Sequence, residues 1–457
     1  MRKLILNTDS YKTSHWLQYP PGTTHVSAYI ESRSGKTQQL VFFGLQAFIK
    51  AYLLTPITAA DIEEAEAILS AHGLPFNRAG WQHILDVHGG YLPLKITALR
   101  EGMVVPLRTP LVQVQNTDPA AYWLTSYIET ALLRAIWYPT TVATNSREVK
   151  KIIAAALEKS SAASGDQLSF KLHDFGARGA TTQEAAALGG MAHLINFAGT
   201  DTLAGLMAAR EFYGADMPGF SIPAAEHSTM TAWGPDREAE AYANMIAQFG
   251  GEGRLFAVVS DSYDIYHAVT TIWGEELKEK VQNNGGTLVV RPDSGDPKSV
   301  VLDVLARLEK AFGAQINAKG YKVLPDYIRL IQGDGVTPKS IRSILEAMLE
   351  QGFAADNIAF GMGGALLQDV DRGTYNFAMK ASAVKIKGRW QDVFKDPITD
   401  QGKRSKRGRQ VVMEDFKTVS IPAEQDTLAG DMLETVYLDG RLVRELSFEE
   451  VRENARL

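Results

Sequence analysis

Eight short apolar runs punctuate the chain between residues 145 and 385, each followed by a polar or glycine-rich loop and then by a stretch with helical signals. They end near His173 (FKLHDFGARG), Phe197 (LINFAGTD), Pro223 (FSIPAAEHS), Ser260 (LFAVVSDS), Arg291 (TLVVRPDSG), Gln332 (IRLIQGDG), Gly361 (IAFGMGG) and Ser382 (FAMKAS). Successive ends lie 24, 26, 37, 31, 41, 29 and 21 residues apart. That is the length of a strand plus a crossover helix, so the block reads as parallel β/α, and eight units point to a barrel. Pro235-Asp236-Arg237-Glu238 after Gly234 has the proline and acids of a helical first turn.

The flanks follow another pattern. Residues 1 to about 144 mix turns (Tyr19-Pro20-Pro21-Gly22), a helical stretch from Ala59 to Ser70 and strand-like pieces (YLPLKITAL, LVQVQNT). Further strand candidates (VKI, RQVVME, DFKTVSI, ETVYLDG) begin at Val384. The expected fold is α/β: an irregular β/α barrel over 145–385, with an accessory β-rich domain built from 1–144 and 386–457.

Composition removes whole classes of function. A 457-residue chain that is 45% hydrophobic and 22% charged is globular. Its net charge of −6 argues against nucleic acid as a partner. The absence of cysteine excludes disulfides, thiolate metal sites, iron–sulfur clusters and cysteine nucleophiles. The start, Met1-Arg2-Lys3-Leu4-Ile5-Leu6-Asn7, is too short in apolar residues for a signal-peptide core. No run approaches the roughly 18 apolar residues of a membrane helix. A cytoplasmic location without membrane partners is expected.

The chemistry-bearing residues fall just after the apolar runs, where a β/α barrel carries its active site. Asp293 in Arg291-Pro292-Asp293-Ser294-Gly295 and Asp334 in Gly333-Asp334-Gly335 suit ribose hydroxyls and Mg²⁺, because carboxylates accept from diols or bind hard cations. Either could equally be a plain Asp-Gly turn. Gly363 and Gly364, ahead of Ala365-Leu366-Leu367-Gln368, offer a phosphate cradle at a helix start. Arg372, Lys380 and Lys395 follow, then five cations in the seven residues Lys403 to Arg409. That segment reads as a solvated loop, an import-like patch or a lid over polyphosphate. Glu226-His227 follows the third run, and Asp261 at a neighbouring strand end would fix the imidazole's tautomer and raise its basicity. This permits a histidine that takes a phosphoryl group, although a lone histidine is usually structural. Phe175 and Arg178 in HDFGARG suit a planar aromatic ring with a polar substituent, with core packing the plainer role for Phe175; Asp201 faces the same mouth. Neither a Walker A nor a Rossmann fingerprint is present.

The strings HDFGARG, GTDT, IPAAEHSTMTAWG, VVSDSYDIY, RPDSGDP, IQGDG, IAFGMGGALLQ and FKDP…KRSKRGR, with TDSYK…QYPPGT near the start, resemble the nicotinamide phosphoribosyltransferase family over about residues 7–410. The resemblance implies a type II phosphoribosyltransferase: a homodimer with shared active sites, Mg²⁺ as cofactor, and nicotinamide, phosphoribosyl pyrophosphate and ATP as substrates. It implies that Phe175 stacks on the nicotinamide ring with the other subunit's Tyr11 opposite. Asp201 would accept the carboxamide N–H, and Arg178 would lie near base and phosphate. Arg291, Asp293, Gly333, Asp334, Gly363 and Gly364 would take ribose, metal and 5′-phosphate, with Asp293 the metal ligand. Arg33, Arg372, Lys380 and Lys395 would take pyrophosphate. His227 would be phosphorylated by ATP, with Glu226 and Asp261 beside it.

Three positions depart from the family pattern. Ala177 stands where relatives carry tyrosine, Ala378 where a hydroxyl residue would help hold pyrophosphate, and Ala257 in place of a serine lining the base tunnel. These bear on pocket width and pyrophosphate affinity. A nicotinate phosphoribosyltransferase is the alternative reading, opposed by the negative charge of Asp201, which favours an amide over a carboxylate substrate. A nonenzymatic dimeric signalling or binding protein is the more distant one.

Overall fold

The computed structural model of the chain describes residues 3–425 and 428–457. It divides into two compact units, one running to Thr144 and adding Ala208–Asp216 and Val370–Arg456, the other made of Asn145–Met207 and Met217–Asp369.

The second unit is built on a parallel sheet of six strands, in the spatial order Gly199–Thr200, Leu172–Asp174, Ile358–Met362, Ile328–Gln332, Thr287–Arg291 and Leu255–Val259. The longer strands bury apolar residues such as Phe256, Val258, Leu288, Val290, Leu330 and Phe360, as strands covered on both faces do. The third predicted run makes no full strand. Instead Phe220 bridges to Gly199 at one sheet edge and Ala224 to Ala257 at the other, both parallel. Thr200 N donates to Phe220 O at 3.0 Å and Ala257 N to Pro223 O at 2.9 Å, so residues 220–224 close the ring through two single bridges. This is an irregular barrel, as expected.

Crossover helices cover the strands. Pro297–Phe312 starts with Asp296 accepting from Ser299 N at 2.9 Å and with proline in its first turn, and it buries Val300, Val301, Val304, Leu305 and Leu308. Pro338–Glu350 is capped by Thr337, which accepts from Ser340 N at 3.1 Å, and buries Ile341, Ile344, Leu345 and Met348 at helical spacing.

The eighth run departs from expectation. Phe377–Ile386 is not a barrel strand but pairs antiparallel with Thr23–Ser32, Tyr29 opposite Lys380 and Glu31 opposite Ala378. Residues 363–376, between the seventh and eighth runs, form the one-turn helix Gly364–Leu367 and then turns, so no crossover helix returns the chain across the sheet. The second unit accordingly ends at Asp369 rather than at 385.

In the first unit, a seven-stranded antiparallel sheet interleaves the two ends of the chain. Its order is Arg389–Asp392, Phe377–Ile386, Thr23–Ser32, Pro110–Asn116, Leu94–Ala98, Glu434–Leu438 and Arg441–Leu442. The accessory β-rich unit therefore does combine N- and C-terminal segments. Ala208–Asp216 also belongs here: Tyr213 is buried, stacks on Phe43 with ring centroids 5.1 Å apart, and donates to Glu101 at 2.7 Å. Among the described residues, no helix is long and apolar enough to cross a membrane.

Candidate active site

The carboxyl ends of the parallel strands carry most of the candidate residues of the second unit. His227 opens the short helix His227–Thr231. Its Nε2 lies 3.6 Å from Asp261 Oδ1 and 3.6 Å from Asp293 Oδ2, and its Nδ1 lies 3.3 Å from Ser262 Oγ. Asp261 is almost fully buried. Its Oδ2 accepts from Asp293 N at 3.0 Å and from Ser294 Oγ, whereas Oδ1 has no hydrogen-bond partner among the described residues. A buried carboxylate oxygen left unpaired is costly, and this one is turned toward the imidazole.

Burial raises the Asp293 carboxyl above its ordinary range, and the neighbouring Asp261 and Asp334 add to the effect against Arg291 and His227. Arg291 holds its Nη2 3.8 Å from Asp293 Oδ2 and donates to Ala225 O at 3.2 Å. Glu226 is positioned by its own turn: its N–H donates to Thr229 Oγ1 at 3.3 Å and its carboxylate accepts from Ser228 Oγ.

The aromatic slot lies a few strands away. Phe175 packs against Ala257, Val289 and Ile331. Its ring runs so close to the strand Ile358–Met362 that a Cβ on Gly361 would come within 1.9 Å of Phe175 Cε2. Gly333 separates the ring from the Asp293 carboxylate: a Cβ there would meet Phe175 Cε2 at 3.3 Å and Asp293 Oδ1 at 3.5 Å. Ala257, one of the three departures, thus sits under the slot. Ala177 is exposed.

Strand register sets Asp201 beside Phe175. His173 pairs with Gly199 and Asp174 with Thr200, and Asp201 N donates to Asp174 O at 2.9 Å. Phe175 and Asp201 are therefore the next step on adjacent strands. Ser221 Oγ donates to Asp201 Oδ1, which holds the carboxylate in place. Arg178 is exposed on the turn Ala177–Gly179. That turn backs onto the glycine loop: a Cβ on Gly179 would lie 3.6 Å from Gly364 Cα, while one on Gly364 would meet nothing within 4 Å. The space over Gly364 is open.

The remaining candidates belong to the first unit. Lys380 is half-buried, donates to Met379 O at 2.8 Å, and is held below its ordinary range by burial and by Arg33, Lys12 and Lys395, against Glu129. Arg33 Nε lies 3.5 Å from Glu31 Oε1, and its buried Nη2 has no hydrogen-bond partner among the described residues. Arg372 donates to Phe377 O at 2.8 Å, and Lys395 N to Ser405 Oγ at 2.8 Å. Tyr11 is 58% exposed, with His15 edge-on to its ring at 4.9 Å and Lys12 Nζ 5.5 Å from the ring centroid. The five cations of 403–409 all have local partners: Lys403 with Asp400, Arg404 with Asp396, Lys406 with Glu31, Arg407 over Phe394 and Arg409 over Trp390.

Sequence reasoning overlooked Ser262, Ser294, Ser221 and Lys12. Each lies inside or beside a recognised string, yet hydroxyls next to a carboxylate carry no spacing signal. Lys12 pairs with Glu129 at 2.6 Å, a partner far away in sequence.

Comparison with known proteins bears on this arrangement. Residues 170–441 match the nicotinate phosphoribosyltransferase (NAPRTase) family, and residues 3–96 match the nicotinamide phosphoribosyltransferase N-terminal domain. The chain is 54% identical over 459 residues to a nicotinamide phosphoribosyltransferase of Xanthomonas campestris pv. campestris, covering 99% of this chain and 98% of that one. It is 33% identical over 485 residues to a nicotinamide phosphoribosyltransferase of Acinetobacter baylyi, covering 97% and 95%. The crystal structure of nicotinate-nucleotide pyrophosphorylase from Pyrococcus furiosus shares the fold, with a TM-score of 0.63 at 18% identity over 99% of this chain and 94% of that one.

Proposed function

The chain belongs to the nicotinate phosphoribosyltransferase family and is a pentosyltransferase; from that premise we propose that its acceptor is nicotinamide. It would take the phosphoribosyl group from phosphoribosyl pyrophosphate, releasing pyrophosphate and forming nicotinamide mononucleotide for NAD salvage. The observation that carries the choice of base is the adjacency of Phe175 and Asp201 on neighbouring strand ends. A ring stacked on Phe175 would direct its substituent toward a carboxylate. An ionised carboxylate accepts from an amide N–H and repels a carboxylate substrate, which opposes nicotinate.

The neutral pyridine nitrogen is a weak nucleophile, so C1 displacement would pass through an oxocarbenium-like state, stabilised by charge on the leaving pyrophosphate being absorbed. Arg33, Arg372, Lys380 and Lys395 supply positive charge for that purpose. Arg291, Asp293, Gly333 and Asp334 serve the ribose, and Gly363 and Gly364 with Arg178 the 5′-phosphate. Magnesium fits the donor set: Asp293, beside Asp261 and Asp334, is of the hard oxygen type that ion takes, and Asp261 Oδ1 is a buried oxygen without a hydrogen bond. When bound, the ion supplies neutralisation of pyrophosphate charge.

We also infer that ATP phosphorylates His227. Two carboxylates flank Nε2, which favours a proton there and leaves the lone pair on Nδ1, facing Ser262, as the phosphoryl acceptor. Glu226, at the helix start, fixes the entry of His227 to its turn.

Exposed Tyr11 would cover the base slot of a partner subunit in a homodimer with shared active sites. Mixing Tyr11→Ala with the double variant Phe175→Ala, Asp201→Ala should restore activity on subunit exchange; no restoration in mixed dimers verified by native mass spectrometry overturns that arrangement. The transferase reading itself is tested by incubating the protein with nicotinamide, phosphoribosyl pyrophosphate and Mg²⁺. Nicotinamide mononucleotide and pyrophosphate in equal amounts support it, and no mononucleotide sinks it.

A further inference from the structure

His83, His88 and Asp118 converge in the first unit, in a part of the chain to which the transferase chemistry assigns nothing. His83 Nε2 lies 2.7 Å and His88 Nε2 2.6 Å from the same oxygen, Asp118 Oδ2. The two imidazole rings meet edge to face with centroids 5.8 Å apart. The other carboxylate oxygen, Oδ1, is occupied by Ala120 N at 2.8 Å. Two imidazole nitrogens and one carboxylate oxygen, all within 4.8 Å of one another, form a donor set typical of zinc and its neighbours rather than of magnesium.

The backbones that carry these donors are fixed. Asn116, fully buried, donates through Nδ2 to Asp118 O at 2.8 Å and to Thr24 O at 2.9 Å, and accepts from Val26 N at 2.8 Å. Helix Arg78–His88 is anchored by Trp81, whose ring packs edge-on to Trp123 at 4.9 Å. His88 is the last helical residue, and Gly89 follows in the left-handed region at φ 60°. The side chains themselves stay half-exposed, at 34%, 24% and 16%, so an ion could enter and keep water as further ligands.

We propose that His83, His88 and Asp118 form a binding site for a divalent transition ion of the zinc class, which clamps helix Arg78–His88 to the segment after strand Pro110–Asn116. Metal–ligand distances near 2.0–2.2 Å put tetrahedral ligands roughly 3.3–3.5 Å apart, so the two imidazoles would draw back from the carboxylate by under about 1 Å each. The ion would take the Nε2 lone pair of each imidazole, leaving each ring's proton on Nδ1.

The test is zinc or cobalt(II) titration of untagged, metal-free protein. A His227→Ala background removes any contribution from the His227–Asp261–Asp293 cluster. One equivalent of zinc should bind, raise the melting temperature, and, as cobalt, give the visible absorption of a nitrogen- and oxygen-ligated site. His83→Gln, His88→Gln and Asp118→Asn should each abolish that equivalent while keeping wild-type circular dichroism, and His72→Ala should retain it. Asp118→Asn keeps an acceptor for Ala120 N, so it tests the site even if a histidine variant folds poorly. Absence of zinc binding in the background protein, or binding that survives all three changes, overturns the proposal and leaves a hydrogen-bonded brace.

Discussion

Asp261 gives one carboxylate oxygen to the backbone N–H of Asp293 at 3.0 Å and leaves the other, Oδ1, without a hydrogen bond, 3.6 Å from His227 Nε2. The carboxylate that faces the imidazole is thus itself held by the loop that carries the second carboxylate.

Asp261→Asn would set an amide N–H against Nε2 and push the imidazole proton to Nδ1, the nitrogen proposed as phosphoryl acceptor. ATP-dependent formation of acid-labile phosphate on the protein should fall by about 10–100-fold. His227→Ala should remove the labile phosphate altogether. Labelling of either variant at the parent level contradicts the assignment.

Asp201→Asn keeps the size of the side chain and an acceptor for Ser221 Oγ but removes the charge proposed to repel nicotinate. The ratio of kcat/KM for nicotinamide over nicotinate should shrink by at least ~10-fold, about 1.4 kcal/mol of discrimination. An unchanged ratio means that another group reads the base.

Gly361→Ala drives a methyl into the Phe175 ring, since a Cβ there falls 1.9 Å from Cε2. The ring has to leave its slot. Stability should drop by about 1–3 kcal/mol, and KM for nicotinamide should rise more than KM for phosphoribosyl pyrophosphate. Equal effects on both constants would detach Phe175 from base binding.

Two buried groups oppose each other in acid. Burial raises the Asp174 carboxyl from 3.8 to about 6, although Gly176 N donates to it at 2.7 Å. The folded protein then holds a proton that the unfolded chain releases between about pH 4 and 6, so this contribution to stability falls as pH rises through that window. Burial pushes His193 from 6.5 down to about 3, with Ser146 Oγ at 3.0 Å from Nδ1 and Gly199 O at 3.1 Å from Nε2. Its contribution is complete above about pH 6.5 and is lost as pH falls toward 3. Each slope is about 1.4 kcal/mol per pH unit, and the two nearly cancel between about pH 4 and 6. Asp174→Asn removes one of them, so between pH 6 and 4 the variant should lose about 2–3 kcal/mol more than the parent. Urea midpoints that run parallel with pH would contradict this.

What the sequence made legible follows from what it had to encode. Five barrel strands were visible because strands covered on both faces carry runs of buried apolar residues, as at Phe256–Val259 and Leu288–Val290. The third run was legible as an apolar segment, but its two single bridges, Phe220 to Gly199 and Ala224 to Ala257, depend on closure and not on local pattern. Phe377–Ile386 opens with the same apolar signature as a barrel strand, and its antiparallel partner, Thr23–Ser32, lies near the other end of the chain, where no local pattern points to it. In the site, carboxylates and the histidine stood out by type, whereas the hydroxyls that orient them, Ser262 beside His227 and Ser221 on Asp201, did not. His83 and His88 were invisible as a pair because five residues of helix turn about 500°, which puts them on different faces until the helix ends.

The central claim is that this chain selects nicotinamide through the paired placement of Phe175 and Asp201. The most direct measurement is kcat/KM of the purified protein for nicotinamide and for nicotinate, with phosphoribosyl pyrophosphate and Mg²⁺ saturating. The account predicts a preference for nicotinamide of roughly 100-fold or more, equivalent to about 2.7 kcal/mol; equal values, or a preference for nicotinate, would contradict it.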